Sequence, residues 1–124
     1  MNIVTATDAR TITTAAAVTT ALAAPSQGST ELCNWRVRMQ PATSGPLHSI
    51  DREQLWTVLA GSLTITCGEQ TDQAVSGQTV ILPAGVDRQV TSGDEPVDVL
   101  VCMPAGGMAS VPGGAAPVPL PWAK

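Results

Sequence analysis

Short apolar runs, each bounded by turn residues, recur along most of the chain. The run Gln54–Ala60 (Q-L-W-T-V-L-A) stops at Gly61, and a second alternating run, Ser62–Cys67, follows immediately. Two such runs on either side of a tight turn are typical of a β-hairpin. The same pattern predicts strands at Leu32–Met39, Thr79–Leu82, Arg88–Thr91 and Val97–Met103. Several short strands at this density favour a sandwich or a closed barrel.

The ends of the chain show a weaker pattern. Residues 10–24 fit either a strand or a short helix, and the threonines at 13, 14, 19 and 20 favour the strand. Pro25–Ser29 and Gly68–Thr71 are predicted turns, and Pro41–Pro46 is a predicted loop. From Pro104 onward Pro and Gly dominate, which predicts an extended strap with Trp122 as its anchor.

The composition supports an all-β protein. Charged residues make up only 13% of the chain, whereas Val, Thr and Ile are common and 11 Gly and 10 Pro provide turns. A length of 124 residues allows one domain with one core. We therefore predict a single all-β domain over residues 1–124.

Charge and hydropathy exclude several classes of function. The formal net charge is −4 and the six Lys and Arg residues are scattered, so nucleic-acid binding is not expected. No apolar stretch approaches the roughly 20 residues that span a bilayer. Ala15–Ala24 imitates a signal sequence but contains two threonines and runs into Pro25, so we expect a cytoplasmic protein. The three widely spaced cysteines are interpreted as small buried hydrophobic residues.

The stretch 41–61, P-A-T-S-G-P-L-H-S-I-D-R-E-Q-L-W-T-V-L-A-G, resembles the first motif of the cupin superfamily. That motif contains a glycine, a His-x-His pair, a glutamate and a closing glycine. The corresponding positions here hold Ala42, His48, Ile50, Gln54 and Gly61. Only one histidine and the closing glycine are therefore retained.

The stretch 77–92, G-Q-T-V-I-L-P-A-G-V-D-R-Q-V-T-S, is similar to the second cupin motif. Gly77, Pro83 and Gly85 match it, whereas Arg88 replaces the histidine and Ser92 replaces the asparagine. The resemblance implies a single-domain cupin β-barrel, also called a double-stranded β-helix or jelly roll. Its core would cover about residues 30–104, and residues 104–124 would form the strap.

In cupins the two histidines, the glutamate and the second-motif histidine bind a divalent metal. Here Ile50 has no donor atom, Gln54 offers only a neutral amide oxygen, and Arg88 is a permanent cation without a lone pair. These substitutions therefore predict that the site holds neither the metal of the family nor another cofactor. One alternative stays open, in which a shifted strand register brings Glu53 or Cys102 inward beside His48.

Without a metal, the predicted site is an apolar cavity with a few polar groups. His48, Arg88 and Gln54 are the candidate catalytic residues: His48 transfers a proton while Arg88 and Gln54 hold a substrate oxygen. The candidate substrate-binding residues are Trp56, Ile50, Val58, Val90, Met39, Glu53 and Cys102. The structural alternatives are an idle histidine, a core tryptophan, and a buried ion pair of Arg88 with Asp51, Glu53 or Asp87.

These features favour a metal-independent cupin enzyme that performs acid–base chemistry on a small cyclic or polyketide-like metabolite. Cyclisation, isomerisation and dehydration are the candidate reactions. One alternative is a metal-dependent oxygenase or isomerase that combines His48 with substitute ligands, and another is a non-catalytic small-molecule-binding cupin. The expected partner is a small molecule, and small cupins commonly form homodimers through exchanged terminal strands, so we expect a homodimer.

Overall fold

The chain folds into short strands with almost no helix. The computed structural model describes residues 1–124 and contains twelve strands and three single-turn 3₁₀ helices. The strands are β1 (Thr11–Thr13), β2 (Val18–Ala23), β3 (Leu32–Met39), β4 (Ser49–Ile50), β5 (Gln54–Ala60), β6 (Ser62–Cys67), β7 (Gln70–Val75), β8 (Thr79–Leu82), β9 (Arg88–Ser92), β10 (Val97–Pro104), β11 (Met108–Ser110) and β12 (Val118–Pro119). The 3₁₀ helices are Asp8–Arg10, Pro25–Gln27 and Pro121–Ala123. The all-β prediction is confirmed, and no helix combines the length and apolar character needed to cross a membrane.

Three antiparallel sheets build a small jelly-roll barrel. A six-stranded sheet has the order β1-β2-β3-β10-β5-β8, and a three-stranded sheet has the order β7-β6-β9. The third sheet, β12-β11-β4, lies beside them and contains most of the strap's regular structure. One cluster of 19 buried apolar residues comes mostly from the inner faces of the first two sheets, with Ile50 of β4 and residues of the chain ends completing it. Barrel closure thus places the core and the candidate site in the same interior.

The strands with a clear alternating pattern begin and end where the sequence predicts. β3, β5, β6 and β8 have the predicted bounds, and β9 and β10 each extend one residue further. Along β5, buried Gln54, Trp56 and Val58 alternate with more exposed residues. This alternation fixes which side chains point into the barrel.

The strands that the pattern did not predict are polar, short or paired with distant segments. Residues 10–24 form β1 and β2, which is the strand alternative that the threonines favoured over a helix. The predicted turn at Gly68–Thr71 is shorter, because β7 already begins at Gln70. β7 is exposed except at Ala74, as befits an edge strand that buries little apolar surface.

The tail crosses the barrel and packs against its base. Leu120 and Ala123 belong to the buried cluster, and the ring centroids of Trp122 and Trp35 are 6.4 Å apart. The backbone N–H of Ser26 donates a hydrogen bond to the Lys124 carbonyl at 3.0 Å. The last residues are therefore held to the fold, whereas the preceding span of residues 111–119 is exposed.

Candidate functional site

The candidate site is built on one row of inward-facing side chains. The backbone of His48, just before β4, forms an antiparallel bridge with Arg88, with N–H···O distances of 3.1 and 2.8 Å. On the other side of β9, Arg88 is the direct partner of Cys67 on β6. Because directly paired residues in antiparallel strands point to the same face, His48, Arg88 and Cys67 stand side by side.

Arg88 is a fully buried cation without a carboxylate partner. Its side chain is 0% exposed. Nε donates to the Val86 carbonyl at 2.9 Å, Nη1 donates to Gln54 Oε1 at 3.2 Å, and Nη2 donates to the Pro83 carbonyl. Burial lowers the pKa of the guanidinium below its ordinary value. All three hydrogen-bond acceptors of the cation are therefore neutral carbonyl or amide oxygens.

The ion pair considered for Arg88 is absent. The two salt bridges in the structure join Arg36 to Asp98 and Arg52 to Asp51. Glu53 and Asp87 are both exposed and form no salt bridge with Arg88. The negative charge of Asp87 counteracts only part of the lowering of the Arg88 pKa that burial causes.

Gln54 links Arg88 to the rest of the interior. Its Oε1 accepts a second hydrogen bond from the Trp56 indole Nε1 at 3.1 Å, and its Nε2 lies 3.6 Å from Met103 Sδ. Gln54 is 2% exposed and Trp56 is 7% exposed. The Gln54 amide therefore orients the Trp56 indole and the Arg88 guanidinium. This positioning role differs from the predicted contact of Gln54 with a substrate oxygen.

His48 is the polar group of this row that reaches solvent. Its side chain is half-buried, and Nδ1 lies 2.9 Å from the Pro46 carbonyl. A carbonyl only accepts, so Nδ1 carries the hydrogen and the neutral ring keeps its lone pair on Nε2. Burial lowers the imidazole pKa and Arg88 lowers it further, while the bond to Pro46 opposes them. The structure thus favours a neutral imidazole that can act as a base through Nε2.

The structure corrects two of the predicted lining residues. Glu53 is exposed, since Gln54 holds the inward position of β5 and the register does not shift. Cys102 lies on the outer face of β10, where it pairs with Asn34 and Leu55. Neither side chain therefore reaches the interior beside His48.

Cys67 is the inward residue that the sequence analysis missed. Leu63, Ile65 and Cys67 alternate along β6, and the first two are buried in the core. The same alternation already marks Cys67 as inward, but its chemistry becomes visible only through its pairing with Arg88.

The predicted apolar cavity is filled by its own side chains. Ile50, Val58, Val90 and Met39 are all buried members of the core cluster. A cleft of about 260 Å³ lies instead at the gap between β7 and β8. Ile65, Cys67, Ala74 and Leu82 line its inner part, and none of them was a predicted site residue. This cleft lies on the Cys67 side of Arg88.

The residues present do not fit the metal that the family resemblance implies. No group of three or more His, Cys, Asp or Glu side chains comes together in a metal-binding arrangement. At the four relevant positions only His48 offers a strong donor, and the buried Arg88 would repel a cation. No step of the chemistry below is therefore assigned to a metal.

Several solved structures superimpose on most of this chain. An oxalate decarboxylase variant from Bacillus subtilis superimposes with a TM-score of 0.77 at 16% identity, over 85% of this chain and 30% of that protein. The polyketide cyclase RemF from Streptomyces resistomycificus gives a TM-score of 0.67 at 21% identity, over 82% of this chain and 73% of that protein. An RmlC-like cupin from Shewanella frigidimarina gives 0.66 at 13% identity, over 82% of this chain and 83% of that protein.

These similarities establish the fold. The chain spans only about a third of the oxalate decarboxylase, and no curated protein matches its sequence. A family model, that of the cupin domain, matches residues 35–103, which is more than half of the chain. This protein belongs to the cupin family.

Proposed function

We propose that this protein is a metal-independent cupin enzyme that transfers a proton at a carbon next to a carbonyl group of a small cyclic or polyketide-like compound. The pairing of His48 with Arg88 carries this proposal. It joins a half-buried base to a buried cation where related barrels hold a metal.

His48 supplies the base. Its Nδ1–H is held by Pro46, so Nε2 is free to accept a proton from the substrate. The lowered pKa keeps the imidazole neutral at neutral pH, which is the form that abstracts a proton. A positioned general base of this kind contributes about 10²–10⁴ in rate.

Arg88 supplies the positive potential. Abstraction of an α-proton leaves negative charge on the carbonyl oxygen, and a fixed cation stabilises that charge. At an effective permittivity of about 20, two unit charges 4 Å apart attract by about 4 kcal/mol. Because Arg88 is buried, it acts through its field from behind the lining, with Gln54 and Trp56 holding it in place. The enolate carbon then attacks a second carbonyl of the same molecule, whose oxygen takes the proton back from the His48 imidazolium. In isomerisation the imidazolium returns the proton to another carbon, and in dehydration it protonates a β-hydroxyl that leaves as water.

The experiment is hydrogen–deuterium exchange at the α-carbon of an acetoacetyl thioester and of synthetic longer β-ketone thioesters, followed by NMR in D₂O. We expect enzyme-dependent exchange that His48→Gln reduces by about a hundredfold. Arg88→Met should reduce it comparably, and circular dichroism establishes whether that variant is folded. Leu47→Ala is the matched control, because Leu47 is the exposed neighbour of His48. Unchanged exchange in His48→Gln would disprove the mechanism.

A non-catalytic small-molecule-binding cupin is the second candidate. It is favoured by the packed interior, in which the hydrogen bonds of Arg88, Gln54 and Trp56 are made within the protein. The same experiment separates the two candidates. Binding of the thioesters without any acceleration of exchange would favour the binding function.

A further inference from the structure

The cleft between β7 and β8 has the size and lining of a ligand site. Its volume of about 260 Å³ exceeds the roughly 150 Å³ of an apolar cavity that binds benzene. The inner part is apolar, with Ile65, Ala74 and Leu82 at most 5% exposed. Polar side chains, including Asp72, stand at the opening. A molecule with a single ring or a short chain fits this space.

A buried positive charge lies directly behind the cleft. Cys67, Pro83 and Val86 line the cleft, and each is tied to Arg88. Cys67 is its cross-strand partner, and the other two residues accept hydrogen bonds from its guanidinium. Part of the cleft lining is therefore in direct contact with the cation.

The guanidinium keeps unused hydrogen-bonding capacity. It has five N–H donors, and the structure assigns three acceptors to them. Each terminal nitrogen therefore retains one N–H without an acceptor. A buried cation without a counter-ion is costly to the fold, and an anion in the adjacent space offsets that cost.

We propose that this cleft binds a small apolar monocarboxylate, whose hydrocarbon part lies on the floor and whose carboxylate lies toward Arg88. Because Arg88 itself does not line the cleft, its buried charge attracts the carboxylate through the residues of the lining. Asp72 at the opening repels a second negative charge, so dianions are disfavoured. The cleft lies across Arg88 from His48, so this site shares the Arg88 charge with the proposed proton transfer but does not use the histidine.

The first test compares two isosteric probes in the unaltered protein by calorimetric titration. Cyclohexanecarboxylate should bind at least about tenfold more tightly than the neutral cyclohexanecarboxamide, a difference of about 1.4 kcal/mol. The carboxylate should also slow the alkylation of Cys67 by iodoacetamide, followed by mass spectrometry. Cys102, on the outer face, is the internal control whose alkylation should not change. Cys33 should remain unlabelled, because burial raises its pKa to about 11.

Variants locate the ligand. Ala74→Leu fills the floor and should abolish binding of both probes, whereas Thr71→Leu, on the exposed face of β7, should not. Gln54→Glu gives Arg88 a carboxylate of its own, 3.2 Å from Nη1 in the present geometry. That variant should lose the preference for the carboxylate over the amide. His48→Gln should retain full binding even where it abolishes proton exchange.

Each contrary result overturns the proposal. Equal affinities for the carboxylate and the carboxamide would show that the Arg88 charge does not contribute to binding. Absence of protection at Cys67 would place the ligand elsewhere, and loss of binding in His48→Gln would place it at the histidine. If Ala74→Leu fails to fold, the protection experiment in the unaltered protein and the Gln54→Glu comparison still decide.

Discussion

At the scale of single residues, one substitution determines the character of the interior. Arg88 stands where a metal-binding cupin has a histidine, and it is buried without a carboxylate. The alternation along β5 and β9 predicted that Gln54, Trp56 and Arg88 share the interior. It could not predict that the Gln54 oxygen accepts from both of the others, because such contacts depend on packing across strands that are distant in sequence.

The same dependence on cross-strand packing explains why the sequence analysis misplaced Cys102 and missed the role of Cys67. Cys102 would point inward only if the strand register were shifted. The antiparallel pairing of β10 with β3 and β5 excludes that shift. Cys67 was assigned to the core on the basis of composition. Only the partner across the strand, Arg88, shows that the thiol faces a cation and an open cleft.

The lowered pKa of His48 makes stability depend on pH. As the pH falls, the unfolded chain, with an ordinary histidine pKa of about 6.5, takes up this proton before the folded chain does. The contribution of His48 is therefore fully present above that pH and is lost as the pH falls through the folded pKa. We expect the free energy of unfolding by urea to fall as the pH drops below about 6.5. His48→Gln should show a smaller fall.

The carboxylates provide the control for this window. The pKa of Asp98 is lowered by the Arg36 side chain, so its contribution is lost only in a more acidic range, below the ordinary aspartate pKa of about 3.9. A fall of equal size in the unaltered protein and in His48→Gln would mean that the histidine does not couple folding to pH in this range.

At the scale of elements, apolar alternation and turn residues were sufficient to predict where most of the longer strands begin and end. β3, β5, β6 and β8 each place alternate apolar side chains on the common core, and a one-residue slip would expose them. β4 and β11 lack such a signal, because each is two or three residues long and depends on the other for pairing. Strand pairs formed between such short, distant segments are set by the fold and not by their own sequence.

The turn after β5 illustrates how a motif glycine fixes an element. Gly61 has φ +78°, and a Cβ there would lie 2.4 Å from the Pro96 carbonyl oxygen. Gly77 has φ +89° with no atom within 4 Å of such a Cβ. Alanine at either position is strained by about 1–2 kcal/mol. Gly61→Ala should cost about 1–3 kcal/mol more than Gly77→Ala, because it also overpacks the turn.

Urea unfolding of the two alanine variants measures this difference directly. The left-handed backbone is common to both positions, so Gly77→Ala serves as the control for conformational strain. Equal losses of stability would show that the close approach of Pro96 to Gly61 relaxes without cost.

The strap is held by its last residues. Trp122 is partly buried against Trp35, and Leu120 and Ala123 complete the contact with the core. Trp122→Ala should lower the free energy of unfolding by about 2–4 kcal/mol, in line with the loss of a large aromatic contact. Val118→Ala, at an exposed position of the same strap, should change it by less than about 0.5 kcal/mol. A similar small effect for both would mean that the strap contributes little to stability.

At the scale of the whole molecule, the barrel fold is kept without the usual metal-binding residues, so fold and metal binding are separable. Three of the four motif glycines and the motif proline are retained, and the chain keeps the cupin fold over residues 35–103. Three of the four usual ligand positions carry Ile50, Gln54 and Arg88, all at most 2% exposed. The interior thus holds an internal cation in the region where the family commonly holds a metal. A homodimer and a cytoplasmic location stay predictions.

This separation leads to a prediction about metal content. Protein purified without a tag, after growth with added iron, manganese, nickel and zinc, should contain far less than one metal ion per chain by elemental analysis. The matched variant combines Ile50→His, Gln54→Glu and Arg88→His, which restores the donor set around His48 and removes the repelling charge. Position 88 pairs with His48, and positions 50 and 54 are buried inward positions, so we expect these donors to face one another. The variant should therefore approach one metal per chain. Near-stoichiometric metal in the unaltered protein would instead show that other donors replace the lost ligands, and His48 would then be a ligand and not a free base.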